Sequence, residues 1–230
     1  MRKSLQFFLL VVGAVMAACI ANGQTLSNVN NDPPALIGVP GPLTWQHSAE
    51  KWQIENENTL SITAGKATDW FSSPMGDERR DNTPRLLFKP AEDFVLSAKV
   101  TVDFQSQWDS GAFVLYVNNS LWAKLCFEMT IEKRPTIVSV VTRDLSDDNN
   151  SIAINGSSVY LKIAKAGQAI FFYASEDGRH WTIIRAFSLG KKTPDLHVGF
   201  SSQSPVGNGC TSRFSQIMYA SRRVDLWSGQ

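Results

Sequence analysis

The stretch LWAKLCFE, residues 121–128, places an indole, an amine and a carboxyl on alternate positions. At the two-residue period of a strand, Leu121, Ala123, Leu125 and Phe127 face a core, while Trp122, Lys124, Cys126 and Glu128 face away from it. An acid, a base and an indole on one strand face suit a sheet surface that stacks a flat ligand and hydrogen-bonds its rim. A cross-strand charge pair beside a partly covered Trp accounts for the same pattern without a ligand. Both readings stay open. Farther along, SVVTRDLSDDNNS (139–151) starts as a strand and passes, at Thr142 and Arg143, into polar residues expected to form a turn.

Other chemistries lack their residues. There is no phosphate-binding Walker loop, no G-x-S-x-G elbow and no G-x-G-x-x-G. His47, His180 and His197 have no metal-ligand spacing between them, so no metal site is assigned. The acidic run from Asp144 differs from an EF-hand loop, which needs Gly where Asn149 stands and Glu where Asn155 stands. A Ca2+ site of another geometry stays open, because hard oxygen donors cluster there; a solvated turn is the plainer reading. In SEDGRHW (175–181), the Asp177-Gly178 pair is expected to turn a hairpin, with Trp181 packing back as a buried residue on the returning strand.

These residues need a scaffold, and its periodicity is that of strands. Phe94, Leu96, Ala98, Val100, Val102 and Phe104 alternate with Val95, Ser97, Lys99, Thr101 and Asp103 over eleven residues, so one face is buried. Further strands are expected at 112–117, 121–128, 136–142, 159–164, 169–174, 181–187, 196–200, 214–219 and 223–227, separated by Asn-, Gly- and Asp-rich turns. A first hairpin is expected from Lys51–Glu55 and Thr59–Thr63 around Asn56-Glu57-Asn58. Residues 64–93 show no period and read as a long excursion over one sheet. No stretch carries a helical period, which makes the chain an all-β sandwich.

The N-terminus reads as a leader: Arg2 and Lys3 precede an apolar segment, Leu5 to Ala18, too short to span a bilayer. Ala21-Asn22-Gly23 offers a cleavage site, giving a signal peptide of residues 1–23 and a single sandwich domain over 24–230. Met16-Ala17-Ala18-Cys19 offers the alternative of a lipoprotein signal ending before Cys19. The chain is accordingly expected to be exported, periplasmic or extracellular, or else lipid-anchored through Cys19. Cys126 and Cys210 remain downstream, and a bridge between them is left open, Cys126 reading most simply as a buried apolar residue. The 22 Lys and Arg against 21 Asp and Glu argue against nucleic acid or an anionic membrane as partner. No later segment is long and apolar enough for a membrane span.

Several of these motifs occur together in one family. ATDWF (67–71), DFVLSAKVTVDF (93–104), LWAKLCFE, SVVTRDLSDD, SEDGRHW and HVGFSSQSPVGNGC (197–210) resemble, in order and spacing, a family of domains of unknown function that includes the fungal regulation-of-enolase proteins. The resemblance covers about residues 40 to 225. It implies a concanavalin-A-like jelly roll of two antiparallel sheets. In that fold the strand ending at Arg143 would neighbour the Trp122–Glu128 strand, and the early loop would bring Asp69 and Trp70. Asp69, Trp70, Trp122, Glu128, Arg143 and Asp147 are then expected to line one groove for a carbohydrate or other small polar ligand. A secreted lectin-like module is the leading expectation. A carbohydrate-active enzyme using Glu128 with Asp147 or Asp69 is the second, and a protein-interaction module the third.

Overall fold

The computed structural model describes residues 26–27, 35–191 and 193–229. The two leader readings, at Gly23 and at Cys19, fall outside the described residues. In chain order the elements are β1 (Leu26–Ser27), β2 (Thr44–Gln46), β3 (Lys51–Asn56), β4 (Thr59–Gly65), β5 (Trp70–Ser72), β6 (Arg79–Asp81), β7 (Arg85–Phe88), β8 (Phe94–Val102), β9 (Ser110–Asn118), β10 (Leu121–Met129), β11 (Pro135–Arg143), β12 (Leu145–Ala153), β13 (Ser158–Ala166), β14 (Ala169–Ser175), β15 (Thr182–Phe187), β16 (His197–Gln203) and β17 (Gly209–Ala220). Among the described residues no helix is long and apolar enough to cross a membrane.

Two antiparallel sheets face each other as a jelly-roll sandwich. One has the order β1-β3-β4-β17-β8-β13-β14-β15 and the other β12-β11-β10-β9-β16-β7-β2. The alternation of β8 is realised residue by residue: Phe94, Leu96, Ala98, Val100 and Val102 are buried, and their neighbours are half-buried. Between the sheets Phe113 of β9, Phe200 of β16 and Phe214 of β17 form an aromatic triangle, with ring centroids 5.2–6.1 Å apart. Edge-to-face and offset contacts of this kind lock two sheets more specifically than aliphatic packing.

The polar stretch after Thr142 is where the structure departs from the expected turn. The chain reverses tightly at Asp144, whose φ is +64°. Leu145–Ala153 then returns as β12, paired with β11 from Arg143↔Leu145 to Thr136↔Ala153. An edge strand needs only one hydrogen-bonded side and little burial, so polar residues serve there despite poor strand propensity. The segment at 223–227 departs the other way: β17 ends at Ala220 and the tail crosses β13 and β14 without pairing. There the Tyr173 hydroxyl donates to the Leu226 carbonyl at 2.5 Å, and Val224 packs with Phe171. Cys126 and Cys210 are both buried as free thiols, Cys210 in the inter-sheet core and Cys126 on the far side of its sheet, so no bridge forms.

The Asp177-Gly178 turn stands where expected, between β14 and β15. One Asp177 oxygen accepts the amides of Arg179 and His180 at 2.8 Å each, and these bonds hold the carboxyl well below the usual carboxylate range. Asp177 is a turn staple. Trp181, by contrast, is only half-buried, with the Lys162 ammonium 4.0 Å from its ring. Gly178 has φ +75°, and an added Cβ would come 3.0 Å from the Tyr160 ring. Gly178→Ala is therefore expected to lower stability by about 1–2 kcal/mol, and Gly178→Val by more, in urea melts. Wild-type midpoints for both variants would mean that the turn tolerates a side chain.

Candidate functional site

The outer face of the seven-stranded sheet is assembled by register. Lys124 of β10 pairs with Val140 of β11, which pairs with Asp148 of β12. In the next row Cys126 meets Val138 and then Asn150. Glu128 meets Ser110 of β9, which meets Gln203 of β16. All these residues share one face because cross-strand partners point the same way. The same rule sends Arg143, paired with Leu121, and Asp147, paired with Val141, to the opposite face.

Of the stretch 64–93, residues 66–84 run over this outer face as a strap, whereas Gly65 ends β4 and Arg85–Phe88 enter the seven-stranded sheet as β7. Trp70 of β5 stacks on Trp122 with ring centroids 3.9 Å apart and planes inclined by 20°. The Arg85 guanidinium carbon lies 4.1 Å from the centre of the Trp70 ring and the guanidinium pairs with Asp81 at 2.6 Å. The strap is pinned on both sides. Thr68 and Ser204 exchange hydrogen bonds at one margin, at 3.2 and 3.0 Å. At the other, the Ser72 amide donates to Ser146 Oγ at 3.0 Å and the Ser72 hydroxyl to the Asp144 carbonyl at 2.7 Å. Trp122 is thus 1 % exposed and belongs to a second apolar core with Trp70, Leu87, Val114, Cys126, Val138 and Val140. It cannot stack on a ligand.

Beside this roofed core the face stays open as a cavity of about 360 Å³. Its floor holds Lys124, Glu128, Val140, Asp148 and Asn150; Asp69, Phe71, Glu78 and Arg80 of the strap wall one side. The outer lip is apolar, formed by Trp108, Ile131, Pro205 and Val206. Trp108 is 40 % exposed and sits at φ +65°, its amide donating to the Met129 carbonyl at 2.6 Å. The buried Asp109 fixes that turn, accepting the amides of Gln105 and Ser106 at 2.9 and 2.8 Å and the Ser204 hydroxyl at 2.7 Å.

The floor is electrostatically unusual. Lys124 donates to Gln203 Oε1 at 2.9 Å. Burial works against its charge, but the acidic groups around it, Asp69, Glu128 and Asp148 among them, outweigh this, and its affinity for the proton rises. Burial, reinforced by Asp148 and Asp69 and opposed by Lys124, pushes the Glu128 carboxyl up to about 8. Burial raises Asp148 as well. At neutral pH the cavity thus presents an ammonium and a largely protonated carboxyl, with the acidic side chains of Asp69, Glu78 and Asp148 beside them. Among the described residues no three His, Cys, Asp or Glu side chains come together as metal ligands.

The profile of a family described as "Protein of unknown function (DUF1349)" matches residues 45–222. The chain belongs to the DUF1349 family. A comparison with curated protein sequences finds no match. Among solved structures, a functionally unknown protein from Saccharomyces cerevisiae superposes with TM-score 0.72 at 18 % identity, covering 79 % of this chain and 97 % of that one. A GH43 protein from Bacillus licheniformis gives TM-score 0.58 at 18 % identity over 74 % of this chain. A xylan β-1,4-xylosidase from Bacillus halodurans gives 0.53 at 14 % over 70 %. This DUF1349 chain spans about a third of those two larger proteins, 34 % and 32 % of their lengths. At such identities the likeness is one of fold.

Of the six residues expected to line a groove in this DUF1349 chain, Asp69 and Glu128 reach the cavity, and Trp70 and Trp122 form the packed roof beside it. Arg143 and Asp147 lie elsewhere: the Arg143 guanidinium donates to the Ser188 carbonyl, and Asp147 pairs with Arg185 at 2.9 Å. Strand parity is the reason, since each sits one residue out of step with the outer face. Asp148, Asn150, Gln203 and Trp108 take their place. The first two could have been found by extending the β11 alternation through a tight turn; Trp108 carries no local signal. Because the paired indoles are core, Trp122→Ala and Trp70→Ala are each expected to cost about 3–5 kcal/mol, with the double variant costing less than the sum. Urea melts check this, and a near-wild-type Trp122→Ala would mean that the stack does not hold the strap.

Proposed function

We propose that this chain is an exported, lectin-like module that binds a carbohydrate in the cavity beneath the strap. One observation carries the reading. Glu128 is 7 % exposed, lines the cavity, and has no hydrogen-bond partner among the described residues. Its carboxyl opens onto the cavity, so a ligand hydroxyl entering there would hydrogen-bond it in place of water. Lys124, Asp148 and Asn150 add donors and acceptors on the same floor, matching hydroxyl groups that both give and take hydrogen bonds. Trp108 on the lip offers an exposed indole for the apolar face of a sugar ring. The volume lies near the small end of ligand pockets, suited to one or two rings rather than a long chain.

A second reading, cleavage of a glycosidic bond, is favoured by a specific feature. Glu128 holds a proton near neutral pH, as a general acid must, and other carboxyls line the same cavity. The partner carboxylate would then be Asp69 or Asp148, since Asp147 is on the far face. Glu128→Gln separates the two readings. It is expected to weaken a lectin's binding by about 1–3 kcal/mol, but to remove most of a hydrolase's turnover. Trp108→Ala is expected to weaken binding with little loss of stability. Calorimetry and product analysis with one oligosaccharide panel decide between them. If both variants bind every glycan as wild type does, the cavity is not the site.

Glu128 also makes stability depend on pH, with a definite sign. Its ordinary value is 4.5 and its folded value about 8, so between these limits the folded chain holds more protons than the unfolded one. Stability is therefore expected to fall as pH rises through this window. In Glu128→Gln that part of the slope is expected to vanish, as urea melts at several pH values would read. An unchanged slope would assign it to other groups.

A further inference from the structure

A second cavity, of about 600 Å³, opens at the other end of the sandwich. Three chain reversals wall it: β7 to β8 at Lys89–Glu92, the end of β13 and its turn into β14 at Lys165, Gly167 and Gln168, and the approach to β16 at Gly190, Lys191, Thr193, Pro194 and Leu196. Leu196 precedes β16 and Gln203 ends it, so the two cavities are separated by the length of that strand, roughly 20 Å at about 3.3 Å per residue. Nothing in the carbohydrate reading involves this place.

Its lining is basic. Lys89, Lys165 and Lys191 face a single acid, Glu92. Lys165 is 7 % exposed, yet among the described residues its ammonium donates only to the Glu92 backbone carbonyl, at 2.7 Å. Among the described residues none of the three lysines has a carboxylate within ion-pair distance. The neighbouring Asp93 is engaged otherwise, one of its oxygens accepting the Gly167 amide at 2.7 Å. A lysine held this deep by one neutral oxygen keeps two donors and a full charge uncompensated. An anion entering the cavity would meet both needs.

The kind of cation narrows the kind of anion. Among the described residues no arginine lines the cavity, so the planar fork that grips a carboxylate is missing there. Three ammonium groups, one from the end of β13 and two from different loops, act instead as separate point charges, which suits an oxyanion with oxygens spread over a tetrahedron. We propose that this cavity binds a phosphate or sulfate group, with Lys165 as the inner donor and Lys89 and Lys191 at the rim. The group is either a free ion or an ester carried by a larger molecule.

The test uses the full chain and amide NMR, following Gly167 and Gly190 during titration with inorganic phosphate, sodium sulfate, glucose 6-phosphate and glucose 6-sulfate at constant ionic strength. Saturable shifts are expected. Lys165→Met is expected to weaken binding by about tenfold or more, whereas Trp108→Ala leaves it unchanged. Lys191→Glu, at an exposed loop position, is expected to weaken binding likewise and replaces Lys165→Met if that variant fails to fold. Equal affinity for ions and esters supports a site for the free ion; tighter binding of an ester supports recognition on a larger molecule. Shifts that never saturate and match those from sodium chloride would overturn the proposal, as would saturation unaltered by the lysine variants. Because Trp108 and Glu128 lie at the far end, failure here leaves the carbohydrate reading untouched, and failure there leaves this one.

Discussion

Three flat groups in a pile, the Arg85 guanidinium, the Trp70 indole and the Trp122 indole, hold the strap against the seven-stranded sheet. A sandwich ordinarily buries one face of each sheet and leaves the other to water. Here β10 is buried along almost its whole length on both sides, because the pile excludes water from its outer face. Arg85, supplied by β7 of the sheet itself, is suited to the end of such a stack: it is fully buried, its guanidinium carbon lies over the Trp70 ring, and Asp81 supplies a countercharge. Burial pulls the proton affinity of Arg85 down while Asp81 opposes that pull, so the pair forms one unit with the stack.

The chemistry of the cavity follows from that covering. Lys124 and Glu128 lie on the same face as Trp122, two and six residues along β10, and would be ordinary surface groups on an open sheet. Under the edge of the strap they lose solvent, and their charges act on one another through protein rather than water. The ammonium then keeps its proton, and Glu128 takes one up. Asp69 arrives in the same strap, immediately before Trp70, so one segment supplies both the roof and part of the wall. Packing and polarity are thus coupled at neighbouring residues.

The sequence made the inter-sheet core legible wherever one face was apolar and the other polar, as at β8 and β10. It was less informative where a strand had no such contrast. β12 is polar on both faces and pairs on one side only, so composition spoke for a turn while hydrogen bonding made a strand. β7 is four residues buried on both faces, too short to show a period within an irregular stretch. The site was half legible for a related reason. Alternation located Lys124 and Glu128 on the outer face but could not say that Trp122 would be capped, because its partner lies 52 positions earlier in the chain. Arg143 and Asp147 were misplaced by parity alone. A two-residue period makes a shift of one position a change of face.

β12 also closes one edge of the seven-stranded sheet, and an edge offers unpaired backbone groups to any passing strand. On this edge Asp147 and Asp148 follow one another, so a carboxylate stands on each face of the exposed ribbon. A second copy docking there in antiparallel register would bring like charges opposite one another on both faces and would have to strip water from them. The polar composition that hides this strand from a reading of the sequence therefore acts as a guard against sheet-to-sheet polymerisation, while the outer-face half of the same residues completes the cavity.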